Sequence, residues 1–142
     1  LSAKQIAIAN DKNPATPSRA WLAGLAAWAV PGAGHLMLGR WVRGLLLGGA
    51  VWIMFIVGFL FHGHLFAPGG EQGAAGLMSV PPMIADVGSG LLYVFCWVTG
   101  SGFVENAQSV TYEYGNTFLM VAGLLNYLLA LDAFDIAAGR KD

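Results

Sequence analysis

The sequence predicts an all-α protein: an integral membrane helical bundle of about four transmembrane segments, the first broken by proline and glycine. Three observations predict it. The 142 residues are 56% hydrophobic and only 11% charged, against roughly 25% charged in a soluble domain. Four apolar stretches, about 20–39, 41–61, 82–100 and 116–138, approach the ~20 residues needed to cross a bilayer. The polar residues gather between these stretches, in a leader over 1–19 and a short tail over 139–142.

In the leader, Ser2 and Gln5 fit an S-x-x-Q capping box, and Leu1 with Ile6 fits a hydrophobic staple. These predict a short helix over about 3–10. Asn13-Pro14-Ala15-Thr16-Pro17 reads as an irregular link, and Ser18 as a cap for the next helix. The leader carries no signal-peptide pattern.

The first apolar segment, Ala20 to Gly39, has Pro31-Gly32 just past its middle, where a proline breaks or kinks a helix. It crosses as a kinked helix, or Trp21–Val30 dips in and returns through a short interfacial turn at His35–Gly39. Such a break at membrane depth needs protein to cover it. His35, Arg40 and Arg43 are the only side chains able to carry positive charge in the 42 residues from Ala20 to Phe61. The second segment, Trp41 to about Phe61, is the clearest span, with Gly44-x-x-x-Gly48 as a face for close helix packing. Residues 63–80 form a glycine-rich loop, with a short interfacial helix over 74–80. Pro81-Pro82 then opens the third segment, since proline suits a first helical turn. Asp86, Gly90, Tyr93 and Trp97 fall on one face of it at helical spacing. Residues 101–115 are polar, with Tyr112 and Tyr114 as interfacial anchors. The fourth segment carries Asn126 near its middle and Asp132 and Asp135 near its end.

Four spans put Lys4, Lys12, Arg19, Arg140 and Lys141 on one side, five of the seven cations. A re-entrant first segment puts Lys4, Lys12, Arg19, Arg40 and Arg43 together, again five of seven. The positive-inside rule then expects a cytoplasmic N-terminus either way, in the bacterial inner membrane. Segment length favours four spans.

The pattern Pro31-Gly-x-Gly-His35-x-x-x-Gly39-Arg40-x-x-x-Gly44 resembles that of small bacterial membrane proteins of unknown function, distantly similar to the two-transmembrane-segment domain. Leu125 to Ala137 looks like the C-terminal end of such proteins. The resemblance covers about 20–62 well and 116–140 loosely. It implies a small multi-pass membrane protein and no reaction.

A net charge of −1 supplies no basic field for nucleic acid. There is no G-x-S-x-G, H-E-x-x-H, P-loop or dinucleotide fingerprint, so no catalytic residue and no metal site is expected. The single cysteine, Cys96, reads as a small buried hydrophobe. His35, His62 and His64 are the candidate cofactor ligands, for haem or chlorophyll. In a four-span chain His35 and His62 lie near opposite helix ends, against a haem held between them, and interfacial histidines bonded to backbone are commoner. Arg40 and Arg43 are candidate contacts to lipid phosphate or a partner, and Gly44 and Gly48 to a partner helix. Asp86, Asn126, Asp132 and Asp135 are the buried polar candidates, for a proton or ion path or, for the acids, for structural pairing such as that of Asp132 and Asp135 with Arg140. The leading expectation is a non-enzymatic accessory or structural subunit of a larger membrane complex, in contact with the bilayer and other membrane subunits. The alternatives are a haem- or chlorophyll-carrying subunit and a small oligomeric channel or transporter.

Overall fold

A computed structural model describes residues 2–5, 17–69 and 74–141. The described elements are all helical: α1 Pro17–Ala29, α2 Ala33–Met37, α3 Trp41–Leu60, α4 Ala74–Val87, α5 Leu91–Thr99 and α6 Tyr112–Ala137. In the leader the capping box forms. The Ser2 amide donates to Gln5 Oε1 at 3.0 Å and the Gln5 amide to Ser2 Oγ at 3.3 Å. The staple and the rest of the expected 3–10 helix lie outside the described residues, as does most of the link before Pro17.

Two described helices have the length and composition to cross a membrane, α3 with 20 residues and α6 with 26, and α4 with α5 makes a third if that bent pair is one span. At a rise of 1.5 Å per residue they run roughly 30 and 39 Å. They are antiparallel and lie side by side. Thr111, just before α6, donates its hydroxyl to Phe61 O just after α3 (3.0 Å), so these ends meet. At the other ends, Arg43 approaches Asp132.

The first apolar segment is two short helices, of 13 and five residues. α1 starts beside the end of α6, where Ala20 and Ala23 pack with Ala137. It stops at Ala29, and the chain turns at Val30-Pro31-Gly32. Gly32 sits at φ +88°, a conformation that glycine adopts without strain. α2 then doubles back along α1. A Cβ on Gly34 would clash with Ala23 O and Ala27. The turn rests on α3: a Cβ on Gly48 would lie 2.6 Å from Pro31 O, and one on Gly44 3.0 Å from Gly32 O. Gly44 and Gly48, expected to face a partner, therefore face this chain's own turn.

The third segment also departs from expectation. Pro81 and Pro82 lie inside α4, where they were expected to open a helix. The helix extends seven residues upstream of Pro81 and the break comes later, at Gly88-Ser89-Gly90, where the axis bends by 117°. α5 then runs to the Leu60 end of α3, where Gly102 accepts from the Leu65 amide at 2.7 Å. The main core lies between these elements. Val51, Phe55, Leu65, Tyr93, Cys96, Leu119, Ala122 and Leu129 are all buried in it.

Candidate functional site

The turn ending α1 and the break between α4 and α5 meet about midway along α6. Asn126 holds them together. Its Nδ2 donates to Trp28 O at the end of α1 and to Gly88 O at the end of α4, each at 2.8 Å. Small residues allow the approach. Gly90, at φ +66°, lies so close to Trp28 O that a Cβ there would overlap it, and a Cβ on Gly123 would overlap Ala85 O. Asp86, Ser89 and Asn126 are each 0% exposed. Among the described residues, Asp86 Oδ1, Ser89 Oγ and Asn126 Oδ1 have no hydrogen-bond partner. Buried polar atoms are nearly always partnered; the others without one are the nitrogens His35 Nδ1, Arg43 Nη1 and His64 Nδ1, and the three oxygens all belong to this junction.

Beside the junction, irregular backbone enters the core. Residues 63–67 follow α3 with no regular structure, and Leu65 is fully buried. The buried amides need partners, and three in succession have them. His64 N–H donates to Asn116 Oδ1 (2.6 Å), Leu65 N–H to Gly102 O (2.7 Å) and Phe66 N–H to Asp86 Oδ2 (2.9 Å). Tyr93 then donates its hydroxyl to Phe66 O at 2.7 Å. One oxygen of Asp86 thus braces this segment while the other has no partner.

A second polar cluster caps the opposite end of α3 and α6. His35 Nε2 lies 2.8 Å from Asp132 Oδ2, and Lys141 Nζ lies 2.6 Å from Asp132 Oδ1. Arg43 stands 3.8 Å from the same carboxylate, and Arg140 pairs with Asp135 at 3.5 Å. This corner joins α2, α3 and α6 electrostatically. A groove of about 550 Å³ over Gly39–Arg43, Leu46 and Leu47 opens beside it.

The expected histidine ligands are dispersed. His35 is buried at the corner, His62 is exposed just past α3, and His64 packs edge-on against Phe66 with ring centres 5.1 Å apart. Glu71, the only acid near His62 and His64 in the sequence, lies outside the described residues. Among the described residues, no three His, Cys, Asp or Glu side chains gather as a metal site would need. The four buried polar candidates divide in two: Asp86 and Asn126 meet at the junction, while Asp132 and Asp135 belong to the corner. Of the face expected to join Asp86, Gly90, Tyr93 and Trp97, the first three are buried and Trp97 is exposed. Ser89, Asn116 and the Phe66 backbone were not anticipated. For Ser89 the signal was present in Gly88-Ser89-Gly90, a run that interrupts a helix.

Two long apolar helices, with irregular backbone and a buried carboxylate enclosed between shorter ones, define a helical membrane protein with a polar centre. The chain belongs to DUF6677, a family of unknown function whose model matches residues 22–142. No curated protein and no solved structure matches it.

Proposed function

We propose that this is a small, non-enzymatic channel- or transporter-type protein of the bacterial cytoplasmic membrane, working as an oligomer around the Asp86 junction. α3 and α6 cross the bilayer. α1 with α2 enters from the side of the termini and returns to it. α4 with α5 enters from the opposite side and returns there. The four segments expected to span thus become two spans and two half-length hairpins that meet at Asn126. Charge supports this arrangement: the sequence holds no Lys or Arg between Arg43 and Arg140. All seven cations then lie on one side, a stronger bias than either arrangement read from segment length alone. The positive-inside rule makes that side, with the chain's two ends, cytoplasmic. A Cys96→Ala protein carrying one new cysteine at Gly69 or at Lys141 tests it. A membrane-impermeant maleimide added outside spheroplasts should label position 69 and spare position 141. Equal labelling overturns the topology.

The observation that carries the function is Asp86, an acid fully buried about midway along α6, where two broken helices end. Intramembrane acids mark ion and proton paths, and discontinuous helices are where such sites form. Purified protein in liposomes should dissipate an imposed proton, sodium or potassium gradient, and Asp86→Asn should abolish the flux. Native protein that leaves all three gradients at the rate of empty liposomes ends this reading.

A second reading, the accessory subunit, draws on a different feature. An apolar groove of about 460 Å³ between α1 and α6 is lined by Trp21, Gly24, Trp28, Tyr127 and Phe134, among others. In a membrane, close packing rather than the hydrophobic effect joins helices, and a groove floored by glycine suits it. Stable co-purification of another chain, lost on Gly24→Leu, supports this reading, and a homogeneous particle of this chain alone refutes it.

A further inference from the structure

We infer that the junction binds one monovalent metal cation, held by Asp86 Oδ1, Ser89 Oγ and Asn126 Oδ1. This rests on the reading of the junction as the working part of the protein.

Three unpartnered atoms meet at the junction. All three are oxygens and all belong to fully buried residues. They are tied to one short stretch of chain. Ser89 donates its amide to Asp86 O at 3.0 Å, and Asn126 is bonded to Gly88 O between them. Oxygens that share a metal ion at ~2.4 Å stand farther apart than hydrogen-bonded oxygens do. A set built to hold a cation therefore reads as unpartnered when only the protein's own hydrogen bonds are counted.

The sign of the ligand follows from Asp86. α1 and α4 end at the junction with their carbonyls and negative poles, and α5 begins there with a positive one; the carbonyls of Asp86, Val87 and Gly88 already accept from Ser89 N–H, Gly90 N–H and Asn126 Nδ2. Asn126 already spends its donor group on two of these carbonyls and turns the remaining oxygen elsewhere. Asp86 is the only Asp, Glu, Lys or Arg in α4 and α5, and among the described residues no cation pairs with it. An unpaired carboxylate in a medium of low polarity is strongly unfavourable. One monovalent cation neutralises it, whereas a divalent ion leaves an uncompensated charge in the same place. A proton on Asp86 is the competing way to neutralise it, with Ser89 Oγ or Asn126 Oδ1 as its acceptor; it predicts a stability that does not depend on the metal cation.

The test is thermal unfolding of the full chain in mild detergent, in choline chloride and in lithium, sodium, potassium and rubidium chlorides at one ionic strength. The expected result is a saturable rise in Tm with at least one metal cation over choline. Ser89→Ala should keep the native Tm in choline and raise the half-saturating concentration tenfold or more. Asp86→Asn should remove the cation dependence and raise the Tm in choline, because it removes the unpaired charge. Identical Tm values in all five salts, or a cation effect retained in full by Ser89→Ala, overturn the site and assign the junction to buried water. If Asp86→Asn does not fold, Ser89→Ala decides alone. Proteoliposome flux separates this inference from the function it rests on. Saturable cation stabilisation without flux upholds the site and ends the translocation reading. Proton flux indifferent to Ser89→Ala, with no cation stabilisation, does the reverse.

Discussion

Replacing Asn126 with alanine removes the one side chain that joins the ends of α1 and α4. It deletes two hydrogen bonds, to Trp28 O and Gly88 O, each at 2.8 Å, and leaves both carbonyls without that partner. Interhelical hydrogen bonds in membrane proteins average about 0.6 kcal/mol and reach about 1.7. Two of them make the expected cost about 1 to 3 kcal/mol, roughly a tenfold to hundredfold loss in the folding constant. Tyr127→Phe, one residue along, provides the control. It removes a single bond, from the Tyr127 hydroxyl to Ile84 O at 2.9 Å near the surface, and should cost less than about 0.6 kcal/mol. Reversible unfolding in mixed micelles, followed by circular dichroism, reads both. If Asn126→Ala unfolds at the same denaturant fraction as Tyr127→Phe, the clamp carries no weight. The two broken elements would then be held by packing alone.

Other substitutions test the remaining contacts. Gly123→Ala should cost about 2 kcal/mol or more by overpacking, because its Cβ would overlap Ala85 O. Gly49→Ala, in open space, should gain up to about 1 kcal/mol of helix stability; the same unfolding assay measures the pair, and an equal effect of both refutes the close approach of α4 to α6. Asp132→Ala should cost about 1–3 kcal/mol, since it leaves the buried His35 and two cations without their acceptor. Asp135→Ala, which breaks one exposed pair with Arg140 at 3.5 Å, should cost less than about 1 kcal/mol. Parity between the two aspartates would show that the corner is a surface cluster and nothing more.

Hydropathy made the two long helices legible: the span expected over about 41–61 is Trp41–Leu60, and the one expected from Asn116 begins a turn earlier at Tyr112. The corner at Pro31-Gly32 was legible too, because proline and glycine act locally. The direction of the chain after that corner was not. Counting apolar residues gives a length, and α1 with α2 has the length of a span while α2 doubles back along α1. What turns it back is tertiary: the absence of side chains on Gly44 and Gly48 makes a bed for the turn, and Asp132, 97 residues after His35, draws α2 to the end of α6. Pro81-Pro82 misled for the converse reason. Proline is a strong local signal, but within a packed membrane helix neighbours can satisfy the carbonyls it frees. Of the junction, Asp86 and Asn126 stood out as polar residues in apolar stretches. Ser89 did not, since serine is common, and the Phe66 backbone has no signature in sequence at all.

The fastenings of the fold run one way along the chain. Trp28 waits 98 residues for Asn126, His35 waits 97 for Asp132, and His64 waits 52 for Asn116. Each early element is completed by α6, which follows all of them along the chain. During synthesis the turn after α1 is therefore made long before the Asn126 amide that Trp28 O accepts from, and the 63–67 segment before Asn116. In the proposed topology, biogenesis is a holding problem: the insertion machinery shelters two half-length hairpins until α6 arrives. A chain that stalls before Tyr112 presents quality-control proteases with unprotected backbone.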